Sequence, residues 1–328
     1  MSDERKTDGA GEQPAREGWS GISRRGLLKA LVSVPVLGAF AYNTLKKKAR
    51  DDAKKAAILS ELGVSESGPA VIPNAISRPP SRRIRLGIIG NGGEGESLVR
   101  HAGFAHPDWV RDARNALVDD PRDKQLEVYL NQDDLDVAFT GVCDLFDVRA
   151  ERAIAASRVD VRPKGAPANP PARRFRRYTD MLESREVDAV IVATPDHWHA
   201  RICQDAAAAG IHVYCEKAMT RTEEEALAVV DAVKRSNIVF QLGHQNRQSE
   251  SHIKAREIIA ANILGPIGLV EATTNRNDPW GAWVWDIHKD GNPGTIDWAQ
   301  FEEPAPHKVP FSLERFFRWR CWYDYGTG

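Results

Sequence analysis

Between residues 194 and 220 the chain reads TPDHWHARICQDAAAAGIHVYCEKAMT. Histidines, cysteines, carboxylates and a lysine crowd this stretch, and three chemistries are open to them: a metal site, a hydrolase, or proton handling beside a cofactor. Zinc needs three or four convergent ligands, and His197 and His199, two apart on a turn, match neither HExxH nor a CxxC pair. Cys143, Cys203 and Cys215 lie in or beside apolar runs and read as buried thiols, so no metal is expected. A hydrolase triad lacks its GxSxG nucleophile elbow. Lys217 is left as the side chain able to orient a hydroxyl or help take its proton, with a salt bridge to Glu216 as its plain structural alternative.

Those residues need elements to hold them. Five short apolar runs read as buried strands: RIRLGIIG, DVAFTGVCD, DAVIVATP, IHVYCEK and NIVFQLGH. Helical stretches separate the last three, HARICQDAAAAG and then TRTEEEALAVVDAVKRS. Thr220 is expected to cap the second, with acids in its first turn and bases in its last. Strands alternating with helices predict an α/β fold with a parallel, doubly wound sheet. In that fold Thr194 and Pro195 end one strand and Glu216 and Lys217 the next, so all four face the crevice where such sheets bind ligands.

The first strand runs into GNGGEG, in which Gly90, Gly92 and Gly95 satisfy GxGxxG between a strand and a helix. With Gly93 in the same loop, this predicts a dinucleotide's pyrophosphate at a helix N-terminus. Asp144 ends the second strand, where an acid grips the adenosine ribose and repels a 2′-phosphate, which favours NAD over NADP. It stands 49 positions after Gly95, against an ordinary ~20. The excess predicts an inserted helical excursion at about 104–135. RRFRR (173–177) reads as a solvated basic surface, or else as a neutraliser for a 2′-phosphate.

The 328 residues, 42% hydrophobic and 28% charged, describe a soluble globular protein of about two domains. Lys+Arg (45) nearly cancels Asp+Glu (46), and no nucleic-acid partner is expected. Residues 1–42 have the layout of a twin-arginine export signal: Arg24 and Arg25 open an apolar run that ends near Tyr42, with small residues at Ala39 and Ala41. A periplasmic or cell-envelope location follows, with cleavage or retention as an anchor both open. Residues 43–81 are a charged helix and a Pro/Ser-rich linker, 82–244 a Rossmann domain, and 245–328, rich in tryptophan, a second domain.

Taken together, the glycine loop, TPDHWHA, EKAMT and FQLGHQNRQS resemble the glucose-fructose oxidoreductase, inositol dehydrogenase and MocA (Gfo/Idh/MocA) family over about residues 82–328. The resemblance implies a Rossmann domain followed by the start of a C-terminal α/β domain with an open mixed sheet, often an oligomer interface. It implies hydride transfer between a tightly held NAD(P) and a sugar or polyol, with Lys217 in the signature lysine's place. The cofactor would be held by Gly90, Gly92, Gly93, Gly95, Asp144, Thr194, Pro195, His197 and Glu216, and the substrate by His199, Asn246, Arg247 and Trp280. Ala218 replaces the signature proline. The family's aspartate-histidine pair would fall beyond Gly328, so the sequence reads as a C-terminally truncated fragment. Two rival functions are an NAD-dependent glycosidase of the same superfamily and a non-catalytic sugar-binding protein.

Overall fold

The structure is a computed structural model and describes residues 45–50, 52–54, 56–57, 60, 83–158, 170–273 and 284–327. The twin-arginine segment and Trp280 lie outside the described residues.

β1 (Ile84–Ile89) is buried over its last four residues and pairs in parallel with β2 (Val137–Cys143) on one side and β4 (Ala189–Val192) on the other. β3 (Arg173–Arg174), β5 (His212–Glu216) and β6 (Phe240–Gly243) complete a six-stranded sheet in the order β3-β2-β1-β4-β5-β6, every pairing parallel. This is the doubly wound order, whose strand direction of travel reverses between β1 and β4 and leaves a crevice at their carboxyl ends. The five expected strands are all present. The sequence reading missed β3, two arginines that bond to β2 without an apolar side chain between them.

Side chains alternate across a strand, so a sheet covered on both faces needs apolar residues at every position. Two clusters result. Val190, Val192, Val213 and Cys215 pack with Ile202, Cys203 and Met181 on one face, and Ile88, Phe139 and Val142 pack with Val99, Ala150 and Ala153 on the other. Each fully buried aliphatic side chain contributes roughly 1.5–3 kcal/mol.

The helices cross between strands. α1 (Gly93–His101) follows β1, and the long excursion before β2 is two helices, α2 (Pro107–Asp119) and α3 (Gln125–Asn131). Tyr129 anchors them, donating its hydroxyl to Gly103 O at 3.0 Å with its ring edge-on to Trp109. α4 (Asp147–Arg158), α5 (Tyr178–Glu183), α6 (Asp196–Ala208) and α7 (Glu223–Ser236) complete the layers. The cap of α7 is Thr222, which accepts from the Glu225 amide, and not Thr220, whose hydroxyl donates to Thr222 O. The helix begins two residues later than the first threonine suggests, because only Thr222 has its oxygen within reach of the third helical amide.

A separate compact unit contains residues 249–268, including α8 (Glu250–Ala260), together with the amino-terminal region in which residues 45–50 are helical and exposed. Residues 269–328 belong instead to the same unit as the sheet. The sequence reading put the start of a second domain, with part of an open sheet, at 245–328; of that span, residues 269–328 share the sheet's unit and 249–268 the other. Among the described residues no strand follows β6, and only an isolated antiparallel bridge joins Ile296 to Phe146. The reason is aromatic: Phe301 in α9 (Trp298–Phe301), Phe316 and Phe317 in α10 (Leu313–Phe317), and Tyr325 form one buried cluster with Phe146, the residue two beyond Asp144.

Candidate functional site

A cavity of ≈ 610 Å³ opens at the carboxyl ends of β1, β2, β4 and β5. Gly90, Gly92 and Gly93 line it, and two glycines fix the loop's shape. Gly90 has φ +87°, and a Cβ there would lie 2.8 Å from Ala193 O; a Cβ on Gly95 would lie 2.2 Å from Gly90 O. α1 can therefore close onto the end of β1 only with hydrogen at both places. At Gly93, by contrast, an added Cβ would meet nothing within 4 Å. The N-terminus of α1 has no side-chain cap, so its leading amides and dipole are presented to the cavity. Thr194 Oγ1, on the opposite wall, is buried with no hydrogen-bond partner among the described residues. Bare amides, an open glycine loop and an unpartnered hydroxyl fit a dinucleotide diphosphate and its sugars.

Asp144 also lines the cavity, but its first task is local. Its Oδ2 accepts the Asn91 N–H at 2.6 Å and its Oδ1 the Phe146 N–H at 2.8 Å, which ties the glycine loop to the turn after β2. Burial raises its carboxyl above the ordinary range, against the opposing pull of Arg149 and the two amides. Each oxygen therefore meets a ribose with one acceptor position already taken.

Glu216 and Lys217 end β5 and line the same cavity as Thr194 and Pro195. Lys217 Nζ lies 3.5 Å from Glu216 Oε2, with the lysine side chain 46% exposed and the glutamate 5%. Glu216 is held in turn by the Tyr214 hydroxyl at 3.0 Å and by Gln245 Nε2 at 3.0 and 3.2 Å. The bland ion pair foreseen in the sequence is thus present, but one partner is anchored and the other reaches the crevice. The Lys217–Ala218 peptide bond is cis.

The two histidines are placed otherwise than expected: neither lines the cavity, and both are buried. His197 lies in the first turn of α6 with Nε2 2.9 Å from Phe301 O. A carbonyl only accepts, so Nε2 carries the proton and Nδ1, which has no partner among the described residues, is bare. Burial lowers this imidazole to about 4, in keeping with a neutral ring. Its backbone amide donates to Tyr325 O, and Trp198 Nε1 donates to Phe301 O at 3.2 Å. The adjacent Asp196 accepts from the amide and hydroxyl of Thr327. His199 spans two strand-end loops, its Nδ1 2.6 Å from Ala218 O and its Nε2 2.8 Å from Thr194 O. His197 therefore holds the aromatic segment and His199 holds the loops that carry Thr194 and Lys217. From this helix it is Trp198 and Ile202 that reach the cavity.

Asn246 and Arg247 lie on an exposed 3-10 turn, Gln245–Gln248, away from the cavity lining. The RRFRR arginines are engaged elsewhere: Arg173 pairs with Glu186, Arg174 with Asp147, Arg176 with Asp147 at 2.7 Å and Arg177 with Glu303 at 2.8 Å. Several wall residues escaped the sequence reading. Trp285, Phe316 and Phe317 come from a segment assigned to another domain, and no local pattern marks them. Arg149 carried a signal: a cation in the first turn after the second strand, five residues past Asp144.

The model of the oxidoreductase family with an NAD-binding Rossmann fold, Gfo/Idh/MocA, matches residues 84–244. Over those residues, just under half of the chain, the sequence is similar to the Gfo/Idh/MocA family. Among relatives, the chain is 34% identical over 173 residues to the rhizopine catabolism protein MocA of Rhizobium meliloti, covering 50% of this chain and 52% of that one. It is 36% identical over 148 residues to levoglucosan dehydrogenase of Pseudarthrobacter phenanthrenivorans, covering 41% and 38%. A solved structure of myo-inositol 2-dehydrogenase from Lactobacillus plantarum aligns with 22% identity over 57% of this chain and 43% of that one, at a TM-score of 0.41. The chain spans about half the length, or less, of the curated relatives it matches. The Gfo/Idh/MocA match ends at His244, after the last strand of the sheet.

Proposed function

We propose that the protein is an NAD(P)-dependent oxidoreductase that removes hydride from a hydroxyl-bearing carbon of a sugar or polyol. The observation that carries this reading is the shared cavity: the open glycine loop and the Glu216–Lys217 pair line one space. The matching family and the sugar- and polyol-directed relatives support the substrate class. Bound nicotinamide supplies the hydride acceptor.

The remaining work falls to the chain. The amides at the start of α1 face the diphosphate, and Asp144 offers its remaining acceptor positions to a ribose. Lys217 Nζ would accept the proton of the substrate hydroxyl as hydride leaves the carbon, so that the O–H and C–H bonds break and the C=O bond forms, and the resulting ammonium would stay paired with Glu216. Glu216, fixed by Tyr214 and Gln245, keeps Nζ near one position. Trp285 and Trp319 add flat apolar walls suited to a sugar ring.

Arg24 and Arg25, with the apolar run after them, support export by the twin-arginine route to the periplasm or cell envelope, and a homo-oligomer belongs to the same reading. The deciding experiment is mass spectrometry of the purified protein for bound nucleotide, followed by a panel of sugars, polyols and nitrophenyl glycosides read at 340 nm and by aglycone release. A rise at 340 nm with a sugar or polyol supports the dehydrogenase, and aglycone release without net NADH selects the glycosidase instead. A protein that binds no nicotinamide nucleotide sinks both.

A further inference from the structure

His199 is buried, and each of its ring nitrogens meets a carbonyl oxygen: Nδ1 lies 2.6 Å from Ala218 O and Nε2 2.8 Å from Thr194 O. A carbonyl only accepts, and a neutral imidazole has one N–H and one lone pair. In either neutral tautomer, then, a lone pair points at a carbonyl oxygen within hydrogen-bond distance, and that carbonyl loses its donor. Turning the ring over gives no relief, since it sets carbons against both carbonyls. His197, two residues earlier, is the contrast: one ring nitrogen meets Phe301 O, the other has no partner among the described residues, and burial favours the neutral ring.

The surroundings suit a positive ring. Asp196, three residues earlier on the same face of α6, is 1% exposed, its Oδ1 has no hydrogen-bond partner among the described residues, and Arg320 Nη1 stands 4.0 Å from that oxygen. The helix also brings Cys203, and the strand end and turn that carry Ala218 bring Cys215, Glu216, Lys217 and Arg221. Lys217 is paired with Glu216, and Arg221 donates to the carbonyls of Tyr323 and Asp324. α7, packed on the same helix, buries only Val229. We infer that His199 is a positioning residue held as the imidazolium, its two N–H groups fastening the Thr194 turn and the Lys217–Ala218 turn to one ring. Nε2 serves the nucleotide side, where Thr194 lines the cavity opposite the glycine loop, and Nδ1 serves the proton-transfer side, where Lys217 must stand at a fixed place. This rests on the proposed reading of the cavity and adds the group that keeps its two sides in register.

The test has two arms, both on the purified full chain. The first needs neither nucleotide nor substrate, and it decides even where a variant fails to fold: nitrogen NMR of the isotope-labelled histidine rings of wild type at pH 7, with the His199 ring assigned by its cross-peaks to neighbouring residues. Two protonated nitrogens are expected at His199, and one protonated with one bare would overturn the proposal. The second arm separates the nitrogens, because the amide of His199→Asn can stand in for Nδ1 and that of His199→Gln for Nε2. His199→Gln should lower kcat by about tenfold or more, for the sugar or polyol that raises absorbance at 340 nm with wild type, while leaving NADH affinity within about threefold. His199→Asn should do the reverse, weakening NADH by about fivefold with kcat within about threefold. A merely structural role would move both readouts together in both variants, and that result would overturn the positioning role, as would an unchanged kcat in His199→Gln. Wild type that shows the imidazolium but binds no NADH would overturn the proposed function, and the positioning role with it, while the charge state stands.

Discussion

Two strand-to-helix turns stand side by side in this sheet and do opposite things with the same topology. GNGGEG, between β1 and α1, has almost no side chains, and its backbone faces the cavity. TPDHWH, between β4 and α6, is crowded with polar side chains, and the three of its α6 end, Asp196, His197 and His199, turn inward to hold backbone atoms of other segments and, through His199, of Thr194 in the same turn. A strand's carboxyl end thus supplies a site only where the residues after it leave room. Where they are large and polar, the same place becomes a joint, and here that joint holds the aromatic wall that faces the glycine loop.

The widest separation of the two roles comes from Lys217, which reaches the cavity although His199 pins the loop beside it. Lys217→Met should cut turnover by about 10²–10⁴-fold while leaving NADH affinity within about threefold, measured by steady-state kinetics and titration. A matching loss of nucleotide affinity would move Lys217 from the open side of the comparison to the joint. On the open side proper, Gly95→Ala drives a methyl into Gly90 O. It should abolish nucleotide binding and lower stability by about 1–3 kcal/mol, read by urea denaturation.

The joint should show itself through pH. His197 falls from 6.5 to about 4 on burial, so between those values the unfolded chain holds a proton that the folded chain does not. Its contribution is complete above about pH 6.5 and is lost as pH falls toward 4, by at most about 3 kcal/mol. His197→Gln should flatten that part of the stability profile between pH 7 and pH 4.5; an unchanged slope would show that the ring does not carry it. The smallest effect belongs to Gly93→Ala, which should alter stability by less than about 0.5 kcal/mol. Any loss of NADH affinity in that variant would then report contact between ligand and loop alone.

Much of this was legible in advance. The five apolar strands, the glycine loop and the excursion before β2 follow from local pattern, because a strand buried on both faces must be apolar throughout and a tight approach of helix to strand must be glycine. The placing of Thr194, Glu216 and Lys217 at strand ends follows from the same pattern. The histidines were misplaced because nothing in DHWH tells which side of α6 meets the cavity; their partners, Phe301 O and Ala218 O, lie 104 and 19 positions away. The tail from 284 onward was assigned to a separate domain because aromatic composition marks burial without saying against what. Its answer is Phe146, which no local signal distinguishes.

The sequence by itself determined the strands, the turn that opens toward a nucleotide and the lysine beside it, since each depends on near neighbours along the chain. Only the tertiary structure decided that Asp144 is half occupied by backbone amides, that His197 holds the aromatic tail, and that His199 meets two carbonyls at once. Those outcomes depend on long-range packing and on which acceptors remain once water is excluded, and both are fixed only when distant segments meet.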